Sequence, residues 1–222
     1  MKTIFYILIL FIFLTGCYSI PESEISDTEK TKAELFSNDF IENEIKSDFE
    51  IINLDPLQNF NGLLDKMEEL SCLNKIIGLK FTLNDSIYYL TGFTGCPTNG
   101  GTACYFNNNT LIIKNDSIKN LSGDWDKMVA IHNLGKEIKK ITTIDYHFQF
   151  NKEILKPALI HLYIENKYPI TKTKEVLHEI VQEFEKINLE MGNDYFQYSI
   201  IFERFSMLDI PPPPPPPEMQ EK

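Results

Sequence analysis

"ALIHLYIENKYPITKTKEVLHEIVQEFEKINLEMGNDYFQYSIIFERF", Ala158 to Phe205, carries the clearest change of hydrophobic period in the chain. Ala158, Ile160, Leu162 and Ile164 fall on one face of a strand predicted over Ala158–Glu165. Thr171 then stands where a helix cap belongs. Val176, Leu177, Ile180, Val181, Phe184 and Ile187 recur at helical spacing and make the strongest apolar stripe in the protein. Gly192-Asn193-Asp194 is a turn signal, and Tyr195–Phe205 is strand-like again. A crossover of this length places its two strands in parallel, or on either side of a common neighbour. The fold class that follows is α+β: a small mixed sheet with packed helices, closing in a strand–helix–strand unit.

Upstream, "TTIDYHFQF" alternates Ile144, Tyr146, Phe148 and Phe150 with Thr143, Asp145, His147 and Gln149, which predicts a strand with one buried face. Ser122-Gly123-Asp124 predicts the start of a helix running to about Leu134, or to Lys140 if Gly135 is accommodated. Earlier still, "IIGLKFTL", "SIYYLTGF", "TACYF" and "TLIIKN" are short β-like runs separated by Asn, Asp and Gly. "NDSI" occurs at Asn84–Ile87 and again at Asn115–Ile118, each time after an apolar run, and predicts two similar turns. Asp55-Pro56, with Gln58 completing a capping box, predicts a helix start. Its stripe is Leu57, Phe60, Leu63, Leu64, Met67 and Leu70, and Cys72 falls near its end.

The chain opens "MKTIFYILILFIFLTGC". Lys2 precedes an apolar run, Ile4–Leu14, of the length of a signal-peptide core and too short to span a bilayer well. Leu14-Thr15-Gly16-Cys17 resembles a bacterial lipobox. That resemblance implies residues 1–16 as a cleaved lipoprotein signal peptide and a lipid on Cys17, with palmitate-type acylation of the new N-terminus. The expected location is the cell envelope, anchored to the inner or outer membrane on its extracytoplasmic side. Residues 17–52, acidic and rich in Ser and Glu, read as a flexible tether, with a short helix within 31–46 as an option. Residues 53–209 read as the α+β domain and 210–222 as a tail. Seven prolines, Pro211–Pro217, predict a polyproline II rod, either a spacer or a ligand for a protein partner.

Outside the cytoplasm thiols are oxidised. Cys72, Cys96 and Cys104 remain after Cys17 takes lipid. "GCPTNGGTACYF" lacks the Gly-Lys-Ser/Thr ending of a phosphate loop, and the chain has no CxxC. A Cys96–Cys104 bridge across the glycine-rich turn is the first expectation. The alternative is Cys72–Cys96: if Asn84-Asp85 is a hairpin turn, its register carries Cys72 to about position 97. Either choice leaves a third thiol.

"KPALIHLYIENKYPITKTKEVLHEIVQEFEKIN…YSIIF" resembles the periplasmic strand–helix–strand of the ExbD/TolR biopolymer-transport proteins, over roughly residues 109–205. The resemblance implies a domain shape. It departs where those proteins keep a membrane helix with a proton-coupling aspartate, so proton-driven work is not implied.

A net charge of −11 and a pI of about 4.9 argue against nucleic acid as a partner, because phosphates must be neutralised by cations. No GxSxG, HExxH or SxxK motif occurs. No cofactor is implied. The residues with most chemistry are His147 and Asp145 on one predicted strand and His161, Tyr163 and Glu165 on another. If those strands are neighbours, His147, His161, Asp145 and Glu165 form a metal-binding alternative. The expectation is a non-enzymatic interaction or envelope-assembly lipoprotein, with a metal-binding protein or hydrolase on that face as the second reading.

Overall fold

The computed structural model describes residues 32–97, 110–121, 127–142, 155–192 and 196–210. From Ala33 onward they belong to one unit. The expected strand at 143–150, the run "TACYF", the leader and the proline tail lie outside the described residues.

The strongest sequence signal is realised directly. Strand β8 (Leu155–Tyr163), helix α4 (Ile170–Met191) and strand β9 (Phe196–Phe202) form the strand–helix–strand unit, and β8 and β9 pair in parallel with Ile160 opposite Ile200 and Leu162 opposite Phe202. On α4 the predicted stripe is buried from Val176 to Ile187. The helix begins at Ile170, one residue before Thr171, and Pro169 occupies its cap. The Ile170 N–H donates to the Gln58 carbonyl, which fixes that start from outside the helix.

Both "NDSI" copies are hairpin turns. Asn84 and Asp85 (φ 48° and 59°) join β3 (Ile76–Leu83) to β4 (Ser86–Gly92), and Asn115 (φ 58°) lies in the turn from β5 (Thr110–Lys114) to β6 (Ser117–Asn120). Asn and Asp tolerate this left-handed backbone better than other side chains, so the repeated string marks repeated geometry.

Two mixed sheets result, four strands in the order β1-β4-β3-β2 and five in the order β7-β6-β5-β8-β9. Here β1 is Ala33–Phe36, β2 is Phe49–Asn53 and β7 is Val129–Ala130. One hydrophobic core joins them. It includes Leu63 and Met67 of helix α2 (Phe60–Cys72), Ile138 of helix α3 (Leu134–Thr142) and Phe184 of α4, together with Leu79, Leu111 and Ile160.

Several expectations are corrected. Residues 33–52 are not tether. Strand β1 pairs in parallel with β4, helix α1 (Asn38–Asn43) packs Phe40 against Phe49 and Tyr89, and β2 pairs with β3. The acidic residues there are the outer side of an edge, and the aromatic contacts that hold it are distant in sequence. The helix expected at Asp55-Pro56 begins at Phe60, capped by Asn59, whose side chain accepts the Gly62 N–H at 3.0 Å. Asp55 is already engaged: its carboxylate accepts the Thr82 N–H at 2.9 Å and Lys174 Nζ at 2.6 Å. Burial pushes this carboxyl up, but Lys174 and the Thr82 N–H outweigh it and hold it below its usual range. The helix expected from Ser122 is absent at Val129–Ala130, which pairs with Ser117 and Ile118 as an edge strand. Helix α3 starts only at Leu134. Gly135 is accommodated in its first turn, where the Glu183 carboxylate of α4 lies against it.

The disulfide is also corrected. Cys72 is bonded to Cys96, with Cα atoms 4.8 Å apart, so Cys96 does not pair with Cys104, which lies outside the described residues. The hairpin register explains the choice. Ile77 is opposite Gly92, and the same register run backwards reaches Cys72 at position 97.

Phe184→Ala and Ile160→Ala should each cost about 2–5 kcal/mol in urea unfolding, since both side chains are fully buried where helix and sheet meet. An unchanged midpoint in both would contradict their place in one shared core. Peptide mapping without reductant should return Cys72 and Cys96 in one linked pair. Reduction should lower stability by about 3 kcal/mol, the loop-closure value for a bridge of this span.

Candidate functional site

Among the sequence-predicted residues, the structure describes His161 and Glu165; His147 and Asp145 lie outside the described residues. His161 is buried in β8, opposite Ile112 of β5 and Ile201 of β9. Its Nδ1 is 2.7 Å from Glu203 Oε1, and its Nε2 is buried with no hydrogen-bond partner. Glu203 is held in place by its own backbone, whose N–H donates to the Leu162 carbonyl. Glu165 does not join this pair. Its side chain is ion-paired with Lys167, which lowers its carboxyl below the usual range, and its N–H donates to Asn115 Oδ1. Among the described residues no three His, Cys, Asp or Glu side chains gather in a way that could hold a metal ion. His161 is therefore a buried histidine paired with a half-buried Glu203, with no further His, Cys, Asp or Glu gathered beside them among the described residues.

A second feature has the shape of a site. A groove of about 490 Å³ opens between α1 and the C-terminal half of α4. That volume is within the usual range for ligand clefts. Its floor is Leu90 and Thr91 of β4 with Phe196 and Tyr198 of β9, and its walls carry Asp39, Glu42 and Glu185. The rim is apolar and open: Phe36 is 40% exposed, Ile41 50% and Leu189 72%.

Each residue is there for a structural reason. Ser37 caps α1, its side chain accepting the Phe40 N–H, so the helix turns away from β1 and presents Asp39 and Glu42. Buried Phe40 anchors that turn. On α4, Val181 belongs to the buried stripe whereas Glu185 and Leu189 are exposed. Phe184 stacks on Tyr198 at 4.3 Å and meets Phe196 edge-on at 5.7 Å, which fixes the floor. Burial, then the carboxylates of Asp39 and Glu185, push the Tyr198 phenol well above its usual range.

The floor also contains a gap in the sheet. The Tyr89 carbonyl accepts the Ser37 N–H just past β1. Four residues on, Phe93 bonds to β9 through both its N–H and its C=O. Thr91 lies between and projects its backbone groups to the same side, where neither β1 nor β9 pairs with it.

The sequence reading did not anticipate this groove. Asp39 and Glu42 read as tether, and Glu185 lies off the apolar stripe of its helix. An exposed Leu189 beyond the stripe was the one available signal. Comparison with protein families, with characterised proteins and with solved structures finds no match to the chain. No helix among the described residues is long and apolar enough to cross a membrane.

Glu203→Ala should destabilise the domain by about 1–3 kcal/mol, because it leaves both ring nitrogens of a buried histidine unpaired. Glu203→Gln, which keeps a hydrogen-bonding oxygen, should cost less. Urea unfolding measures both, and equal losses would show that the contact with His161 is not what holds Glu203.

Proposed function

We propose that the protein is a lipid-anchored, extracytoplasmic lipoprotein whose α+β domain is a non-enzymatic binding module. The observation that carries the binding reading is the groove itself. It has a rigid aromatic floor, acidic walls and exposed apolar side chains at its mouth. Isolated exposed hydrophobics are ordinary, but several around one concave site mark an interaction surface. The anchor reading rests on Leu14-Thr15-Gly16-Cys17 after a short apolar run. The likeness to ExbD/TolR periplasmic domains supports an envelope setting only through the shared strand–helix–strand order.

A second reading keeps one supporting observation. The buried, unpartnered Nε2 of His161 is the kind of atom that metal sites and hydrolases use. Metal content of the protein after mild purification, with His161→Phe as the control, separates the two. Bound metal lost on that substitution favours the second reading.

Cys17→Ser should abolish lipid labelling and move the protein out of the membrane fraction. A mutant that stays with the membrane and keeps its label overturns the anchor. Truncation after Asp209 should leave thermal stability within about 0.5 kcal/mol, the usual size for changes away from packed features. If Pro211–Pro217 is a ligand for a protein partner, the same truncation removes one crosslinked protein from intact membranes while the domain stays folded.

A further inference from the structure

The groove between α1 and α4 has walls of one charge sign. Asp39, Glu42 and Glu185 line it, and no lysine or arginine among the described residues does. Glu42 and Glu185 are exposed and make no ion pair among the described residues, unlike Glu137 with Lys140, Glu190 with Lys139 or Glu68 with Arg204. Other carboxylates among the described residues, such as Glu44 and Glu69, also lack an ion pair, so what sets Glu42 and Glu185 apart is their place: both line the same cleft as Asp39. Beneath them lie the rings of Phe196 and Tyr198 and the unpaired backbone groups of Thr91. Ring faces attract cations, and more strongly where water is thinned out. At the rim, Ile41 and Leu189 line the cleft and are largely exposed, so an occupant can cover apolar surface as well as meet the acidic walls.

We infer that this groove receives a segment of a partner protein that presents a lysine or arginine between apolar residues. The inference rests on the binding-module reading and names the chemistry of its partner. The cation sits between the acidic walls, with the aromatic floor below. The flanking apolar side chains cover Phe36, Ile41 and Leu189. A long aliphatic stem ending in a charge suits such a cleft, because the stem packs on apolar surface while the head reaches the carboxylates. The chain's net charge of −11 adds a field that draws a basic partner in and repels an acidic one.

The test uses the full chain in the membranes of cells that make it, with the photocrosslinker p-benzoylphenylalanine in place of Ile41 or of Leu189. Mass spectrometry should find the crosslink on a segment of another protein with a lysine or arginine within a few residues. Glu42→Gln combined with Glu185→Gln should lower the yield about fivefold, the scale expected for two exposed charge pairs. Glu69→Gln, exposed on α2 and outside the groove, should leave it unchanged. A crosslink to an acidic or uncharged protein segment, or a yield indifferent to the double substitution, overturns the basic segment while keeping a binding module. Crosslinks only to lipid, only to a second copy of this chain, or to nothing, with no agmatine binding, overturn both. Agmatine, a small guanidinium compound, serves as the other arm. Binding of agmatine that depends on Glu42 and Glu185, with no protein crosslinked, makes the ligand a small cation and overturns the inference.

Discussion

The two hydrogen bonds of Phe93 hold the architecture together. Its N–H donates to the Ile200 carbonyl and its carbonyl accepts the Phe202 N–H, both at 2.8 Å. They join the end of β4 to β9, and so join the four-stranded sheet to the five-stranded one. The neighbouring residues show what the junction requires. A Cβ at Gly92 would lie 2.6 Å from the Phe202 ring, so the close approach of the two strands needs glycine there. Thr94 extends the link by donating its hydroxyl to the Phe202 carbonyl, while its own carbonyl accepts Ser71 Oγ from α2. Two residues later Cys96 is bonded to Cys72. Helix α2, the end of β4 and the end of β9 are thus tied within four residues of chain. The glycine-rich stretch that looked like a self-contained turn has its cysteine committed to that junction.

The same junction makes the groove. Strand β4 accepts β1 along its first half and β9 at its end, on the same edge. Two strands cannot meet end to end without a space between them. Thr91 faces that space: β3 pairs with it on one side through Gly78, and neither β1 nor β9 pairs with it on the other. Helix α1 fills one side, because the chain turns at Ser37, and α4 crosses the other, because it must run from the end of β8 to the start of β9. The groove follows from the way β4 is shared between two sheets.

Sequence legibility tracks the range of the interaction. The stripe of α4, the apolar run of β8 and the two Asn-Asp turns are local patterns, and each is realised; β8 is buried on both faces, Leu159 and His161 as well as Ile160 and Leu162. What failed was non-local. Residues 33–52 read as tether because their acidic side chains dominate the composition, whereas their order comes from pairing with β3 and β4 and from the Tyr89 ring, far along the chain from Phe40. Asp55-Pro56 is a sound local helix start, yet Lys174, 119 residues distant, claims the aspartate. Lys174 is nearly buried, and a buried ammonium must be paired. That demand exceeds the value of a cap, typically about 1 kcal/mol. The same holds for the sites. His161 was visible as a polar residue in an apolar strand, but its partner is Glu203 across the sheet, not Glu165 on its own strand.

The proposed anchor limits where the groove can work. Only residues 18–32 lie between Cys17 and the first residue of β1. Even a fully extended chain of that length reaches at most about 55 Å. Strand β1 ends at Phe36, on the rim of the groove, so under the proposed anchor the groove lies only a few residues of chain beyond the tether. A tether running to residue 52 would have set the domain much farther out and left its orientation free. With the chain ordered from Ala33, the partner of the groove is sought within that distance of the bilayer. A basic segment that meets the groove there is also one that an anionic lipid surface would attract. If the chain is anchored as proposed, its acidic walls would compete with the membrane for the same cation, and the aromatic floor and apolar rim would give it contacts that a headgroup layer lacks.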